Sequence, residues 1–154
     1  MLLINQKTFQ MKTITQDFTY SFTTSKTPEQ VYELLLHIEQ WWFGLYDETI
    51  KGKSLQVNDE FTFKAGGGAH YTKQKLIGLV PNKRIVWLVT EANLTFVKDT
   101  DEWVGTKISF DISVEGNKTK VLFTHEGLIP KFECYEDCSM GWTGYLDKLK
   151  KKLN

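Results

Sequence analysis

Residues 132–153 read FECYEDCSMGWTGYLDKLKKKL, and this stretch decides the fold. At about 3.6 residues per turn, Tyr135, Cys138, Trp142, Tyr145, Leu146, Leu149 and Leu153 fall on one stripe, with Glu136, Asp137, Thr143, Asp147, Lys150 and Lys151 opposite. The spacing predicts an amphipathic helix. Glu133, Glu136 and Asp137 stand near its start and Lys148, Lys150, Lys151 and Lys152 at its end, where the partial charges of helix termini favour them. Helical throughout, the stretch would span about 33 Å, enough to cross a small sheet. A helix with one long apolar face needs a surface to bury it, so the rest of the chain is expected to supply a sheet.

Upstream, residues 13–23 alternate, with Ile14, Phe18, Tyr20 and Phe22 on one face, as a strand with one wet side does. Thr27-Pro28-Glu29-Gln30 is a capping box with proline at the first helical position. Val31, Leu34, Leu35 and Ile38 give the buried face of the helix that follows, running into Trp41-Trp42-Phe43 until Gly44 stops it. From Leu45 to Gly105 short strands and turns are expected, with a break at Gly66-Gly67-Gly68, a bulge near Gly78 and a short strand over Leu94–Val97. The apolar run Ile85–Val89 reads as a central strand covered on both faces. Residues 106–114 and 118–125 form a hairpin around Glu115-Gly116-Asn117, with Val121, Phe123 and His125 on its inward face. No alternating strand-helix units appear, so the class is α+β with an antiparallel sheet. Residues 1–11 read as an N-terminal extension and 12–154 as a single domain.

Nineteen basic and nineteen acidic residues balance, so no net field draws the chain to nucleic acid or to an anionic membrane. No apolar run is long enough to insert in a membrane, and no secretory signal is legible, so a cytoplasmic protein is expected. Cys134 and Cys138, four apart on the helix, are read as reduced. Together with His125 or His37 they lack the paired spacing of a structural zinc site, so neither metal nor cofactor is expected. The triple glycine is followed by no Gly-Lys-Ser/Thr and reads as a flexible hairpin tip that could close over a cavity. His125-Glu126 is the nearest approach to an acid/base pair. Adjacent strand residues face opposite ways, so His125 is read as structural or ligand-orienting, with catalysis a weak candidate role. Gly141 and Gly144 each cost about 1 kcal/mol against alanine in a helix, and only Gly141 borders the buried stripe.

Glu102-Trp103-Val104-Gly105-Thr106, the TKVLFTHEGL of residues 119–128, and Cys134-Tyr135-Glu136-Asp137-Cys138 leading to Gly141-Trp142 join the Thr-Pro-Glu-Gln-Val helix start. Together they resemble the activator of heat-shock protein 90 ATPase homologue family, within the START-like, helix-grip (SRPBCC) superfamily. The resemblance implies a curved antiparallel sheet gripping the C-terminal helix, two short helices after the first strand, and a cavity between sheet and helix. It implies, as the leading reading, a binding protein for a hydrophobic or aromatic small molecule, monomeric or homodimeric. Trp42, Tyr71, Trp87, Trp103, Phe110, Phe123, His125, Cys138, Trp142 and Tyr145 are the expected ligand-binding residues, with His125 or Tyr145 orienting a polar end. Two alternatives follow from the same resemblance: a chaperone-associated module of the stress response, and a cofactor-free cyclase or hydrolase using His125. The eukaryotic activators carry an N-terminal domain with a basic and aromatic motif, and this sequence shows neither.

Overall fold

The computed structural model describes residues 16–154. The expected extension 1–11 and the beginning of the strand expected over 13–23 therefore lie outside the described residues. Strand β1 (Phe18–Thr24) leads through a short turn into helix α1 (Pro28–Leu35). The capping box forms: the Thr27 hydroxyl accepts from Gln30 N at 3.1 Å, and the Gln30 side chain accepts from Thr27 N at 2.9 Å. Helix α1 ends at Leu35, well before Gly44, and the second of the two expected short helices follows as a single 3₁₀ turn (Ile38–Gln40). Trp41 Nε1 donates to Leu35 O at 3.1 Å, satisfying one of the carbonyls that a helix end leaves free. The turn thereby delivers Trp41 and Trp42 inward and leaves Phe43 at the surface.

Seven strands form one antiparallel sheet in the order β1-β7-β6-β5-β4-β3-β2. Its further strands are β2 (Thr49–Gly52), β3 (Glu60–Ala65), β4 (His70–Val80), β5 (Arg84–Leu94), β6 (Lys107–Glu115) and β7 (Lys118–Glu126). The β6–β7 hairpin closes through Gly116, at φ +65°, with Glu115 opposite Lys118. The expected bulge at Gly78 is present, and a second register shift falls at Lys73/Gln74. Strand β5 is central, but its apolar run is covered on one face only. Ile85, Trp87 and Val89 are buried, while Val86 and Leu88 are half-buried on a face that carries no helix. Leu94 ends β5, and residues 95–105 form turns where a short strand over Leu94–Val97 was expected.

Helix α2 (Tyr135–Lys152) crosses the inner side of this curved sheet. Its end is tied to the edge strand: the Thr24 hydroxyl donates to Leu153 O at 2.6 Å, and the Tyr20 hydroxyl donates to Asp147. Its start is held by the Glu102 carboxylate, which accepts from Glu133 N at 3.1 Å and Cys134 N at 3.4 Å. Gly144 has a packing reason invisible in the helical pattern. A Cβ there would stand 3.1 Å from Leu45 Cδ1, so glycine lets the 44–48 loop lie against the helix. Among the described residues, no helix is long and apolar enough to cross a membrane.

Candidate functional site

Trp142 is the hub of the interior. Its ring lies 4.8 Å from Trp42, 4.7 Å from Phe123 and 5.9 Å from Trp103, centroid to centroid. Its indole Nε1 donates to His125 Nδ1 at 3.0 Å. On the other side of the imidazole, Nε2 meets Thr106 Oγ1 at 2.8 Å, and that hydroxyl gives its own proton to Trp103 O at 2.6 Å. Only one protonation state satisfies this chain: a neutral ring with hydrogen on Nε2 and a lone pair on Nδ1. Burial, reinforced by nearby His70, pushes His125 down to about 3, in keeping with that state. His125 is thus a fully satisfied core group with no nitrogen left for a ligand or a proton transfer. A catalytic His125 would be expected to be replaceable with little change in stability. The geometry predicts the opposite: His125→Ala should cost about 2–4 kcal/mol, because it strands two buried polar partners, and thermal melting will read the loss.

The open space lies beside this core, on the β3–β4 side of α2. A cavity of about 320 Å³ is walled by Phe63 and Ala65 from β3, His70 from β4, and Cys138, Gly141, Trp142 and Tyr145 from α2. Trp42 and Trp103 close its inner end, and Tyr46, Phe96 and Met140 form a largely exposed apolar rim. The walls carry the aromatic packing of the core into the cavity: Trp42 stacks on Phe63 at 4.1 Å, and His70 stands edge-on to Trp103 at 4.9 Å. Three loops make the mouth and hydrogen-bond to one another, Gly66 N to Tyr46 O at 3.0 Å and Thr95 N to Ala69 O at 2.9 Å. Successive φ values of +61°, +68° and +97° at Gly66, Gly67 and Gly68 need a run of residues without Cβ. Gly141 shapes the wall from the helix side, since a Cβ there would meet nothing within 4 Å.

Polar groups on the wall are few. His70 Nδ1 has no hydrogen-bond partner, and burial lowers this imidazole to about 4, so it is neutral at ordinary pH. Tyr145 donates its hydroxyl proton to Glu48, a carboxylate lodged just behind it. Glu48 also accepts from the backbone N–H of Gly44 at 2.7 Å, Leu45 at 3.0 Å and Tyr46 at 2.9 Å. Burial pushes Glu48 up, but these four donors outweigh it and hold the acid at about 2. The bond to Cys134, and behind it burial, raises the Cys138 thiol far above the usual range, so it faces the cavity protonated. Among the described residues, no three metal-ligating side chains converge. A second recess, of about 440 Å³, is a seam between the 39–44 segment and the end of α2. There Lys148 and Lys152 donate to the main-chain oxygens of Phe43 and Gln40, each at 3.1 Å.

Of the residues expected at the site, Trp42, Trp103, Cys138, Trp142 and Tyr145 are brought together on the cavity wall. Tyr71 is not. Thr72, Gln74 and Leu76 are the buried face of β4, and Tyr71 lies with Lys73 and Lys75 on the other, its hydroxyl donating to Glu91 at 3.1 Å. Trp87, Phe110, Phe123 and His125 do face inward, but into filled core outside the cavity. Trp87 donates to Ser54 at 2.7 Å, and Phe110 stands edge-on to Trp41 at 4.9 Å. Sequence reasoning missed Phe63, His70, Tyr46, Phe96 and Glu48. The alternation of Phe61, Phe63 and Ala65 carried a signal for the first, while the loop residues carried none.

The family model described as "Activator of Hsp90 ATPase homolog 1-like protein" matches residues 25–154. No curated protein matches the chain significantly. Among solved structures, the Aha1 dimer from Colwellia psychrerythraea is similar at 25% identity with a TM-score of 0.69, covering 90% of this chain and 96% of that one. A Chromobacterium violaceum protein is similar at 20% identity and a TM-score of 0.65, covering 90% and 97%. A Mesorhizobium loti protein is similar at 19% identity and the same TM-score, covering 87% and 95%. The last two likenesses concern the fold.

Proposed function

We propose, for a chain that belongs to the activator of Hsp90 ATPase homolog 1-like family, that it is a binding protein for a small apolar or aromatic molecule held between β3–β4 and α2. The observation that supports this most is the cavity itself. Its volume of about 320 Å³ lies at the small end of the range used for organic ligands, and aromatic side chains form most of its wall. Each reading of the fold predicts something different here. A chaperone-interaction module needs an exposed apolar surface and makes no use of a cavity, and a His125 enzyme needs a free imidazole nitrogen.

Native and then denaturing mass spectrometry of the purified protein tests the reading. A defined mass released on denaturation would support it. No bound mass, with no thermal shift across a panel of apolar and aromatic compounds, would overturn it. Gly141 gives a second test. Gly141→Ala should raise stability by about 0.5–1 kcal/mol, because helical alanine replaces glycine without a clash. The same methyl would occupy cavity space, so binding should weaken severalfold as the melting point rises. Unchanged affinity in that variant would count against the cavity as the binding site.

The family match supports a second reading, a chaperone-associated module, and the exposed rim of Tyr46, Phe96 and Met140 offers it an apolar surface. Stable co-purification with the chaperone, lost on Met140→Glu, would favour it.

A further inference from the structure

Three of the hydrogen-bond donors on the cavity wall are already spent. Trp142 Nε1 is committed to His125, Trp103 Nε1 donates to Cys134 Sγ at 3.4 Å, and the Tyr145 hydroxyl proton belongs to Glu48. Trp42 Nε1 and one nitrogen of His70 are the other N–H donors on the wall. The acceptors carried by lining residues are Tyr145 Oη, a nitrogen of the His70 ring and, at the exposed margin, the Asp137 carboxylate. Among the described residues Asp137 is the one charged side chain on the wall, and no Lys or Arg joins it. Glu48 adds a second negative charge one hydroxyl away. The start of α2 presents partial positive charge nearby, and the Glu102 carboxylate, accepting from Glu133 N and Cys134 N just ahead of the helix, offsets part of it. An anion entering this space would find little to neutralise it. A cation would find aromatic surface, two nearby carboxylates and unoccupied lone pairs, the combination that recognises substituted ammonium groups.

We infer that the cavity selects an organic cation, an amine or quaternary ammonium group carrying a small apolar or aromatic body, with Asp137 and the Tyr145–Glu48 pair as its counter-charge. The inference rests on the cavity being a binding site and adds the charge of what it takes. The shape requirement is met by an apolar molecule of either sort, whereas a wall with no Lys or Arg and two carboxylates close by discriminates by sign.

Isothermal titration of the whole chain with three probes tests it: phenyltrimethylammonium, its uncharged isostere tert-butylbenzene, and the anion phenylacetate. The ammonium is expected to bind about tenfold more tightly than the isostere. Phenylacetate is expected to bind weakest of the three. Asp137 is exposed, so Asp137→Asn should fold normally and weaken the ammonium about threefold more than the isostere. Equal affinity for ammonium and isostere, or equal losses in Asp137→Asn, would overturn the selection by charge while leaving the cavity as a binding site. Failure of all three probes to bind would instead overturn the cavity reading on which the inference stands.

Discussion

Trp142→Ala is expected to lower the melting temperature by roughly 10–25 °C. Removing a fully buried indole costs about 3–5 kcal/mol from lost contacts and the hole left behind. Here the substitution also removes the donor to His125 Nδ1, and an abandoned buried acceptor costs about 1–3 kcal/mol more. Domains of this kind are stable by about 5–15 kcal/mol in all, so much of the margin would be gone. Trp142→Phe separates the two contributions. It keeps most of the ring volume and loses the N–H, so its melting temperature should fall by less than half as much. Chemical denaturation of the two variants beside the parent gives the measurement. An alanine variant that melts within a few degrees of the parent would mean that the core does not hang on this residue.

The position of Trp142 was legible because helical spacing places it on the apolar stripe of residues 132–153. The hairpin was equally legible, since Ile108, Phe110 and Ile112 alternate against polar neighbours and a Gly-containing turn separates the arms. Periodicity reports which face a side chain takes, however, and not how far along the strand the core is filled. Phe110, Phe123 and Trp87 were therefore placed on the right face yet lie away from the open space. Tyr71 was assigned by ring size against its own neighbours. Lys73 and Lys75 share its face, and a tyrosine at the surface buries its ring edge while its hydroxyl reaches a partner such as Glu91. Glu48 left no trace in the pattern. A buried carboxylate is stable there only because the 44–46 backbone folds its N–H groups around one point, and that geometry depends on tertiary packing. The loop lies against α2 where Gly144 leaves room.

Glu48 should make the fold sensitive to acid in a defined window. Its carboxyl is held at about 2 in the folded protein against an ordinary value of 4.5. A depressed acid contributes stability that is fully present above about 4.5 and is lost as pH falls through about 2. A shift of that size corresponds to on the order of 3 kcal/mol at neutral pH. Glu48→Gln should remove most of this at pH 7 and flatten the stability profile between pH 4.5 and 2 relative to the parent. Tyr145→Phe is the partial counterpart, since it deletes one donor to the carboxylate and leaves three backbone N–H groups, and should cost about 1.5–3 kcal/mol. Urea unfolding at a series of pH values reads both. A Glu48→Gln profile parallel to that of the parent would show that the charge plays no part.

All five tryptophans belong to a single connected cluster: Trp41 meets Trp42, Trp87 and Trp142, and Trp142 meets Trp42 and Trp103. Each is at most 2% exposed. Optically the chain therefore carries one composite chromophore. Its emission should be blue-shifted and dominated by energy transfer among the rings, and its circular dichroism should carry exciton bands from the stacked pairs. Three members, Trp42, Trp103 and Trp142, also line the cavity. Occupancy would thus be visible without a label. No tryptophan can be removed to isolate the signal of the others, because deleting one changes the spectrum of all.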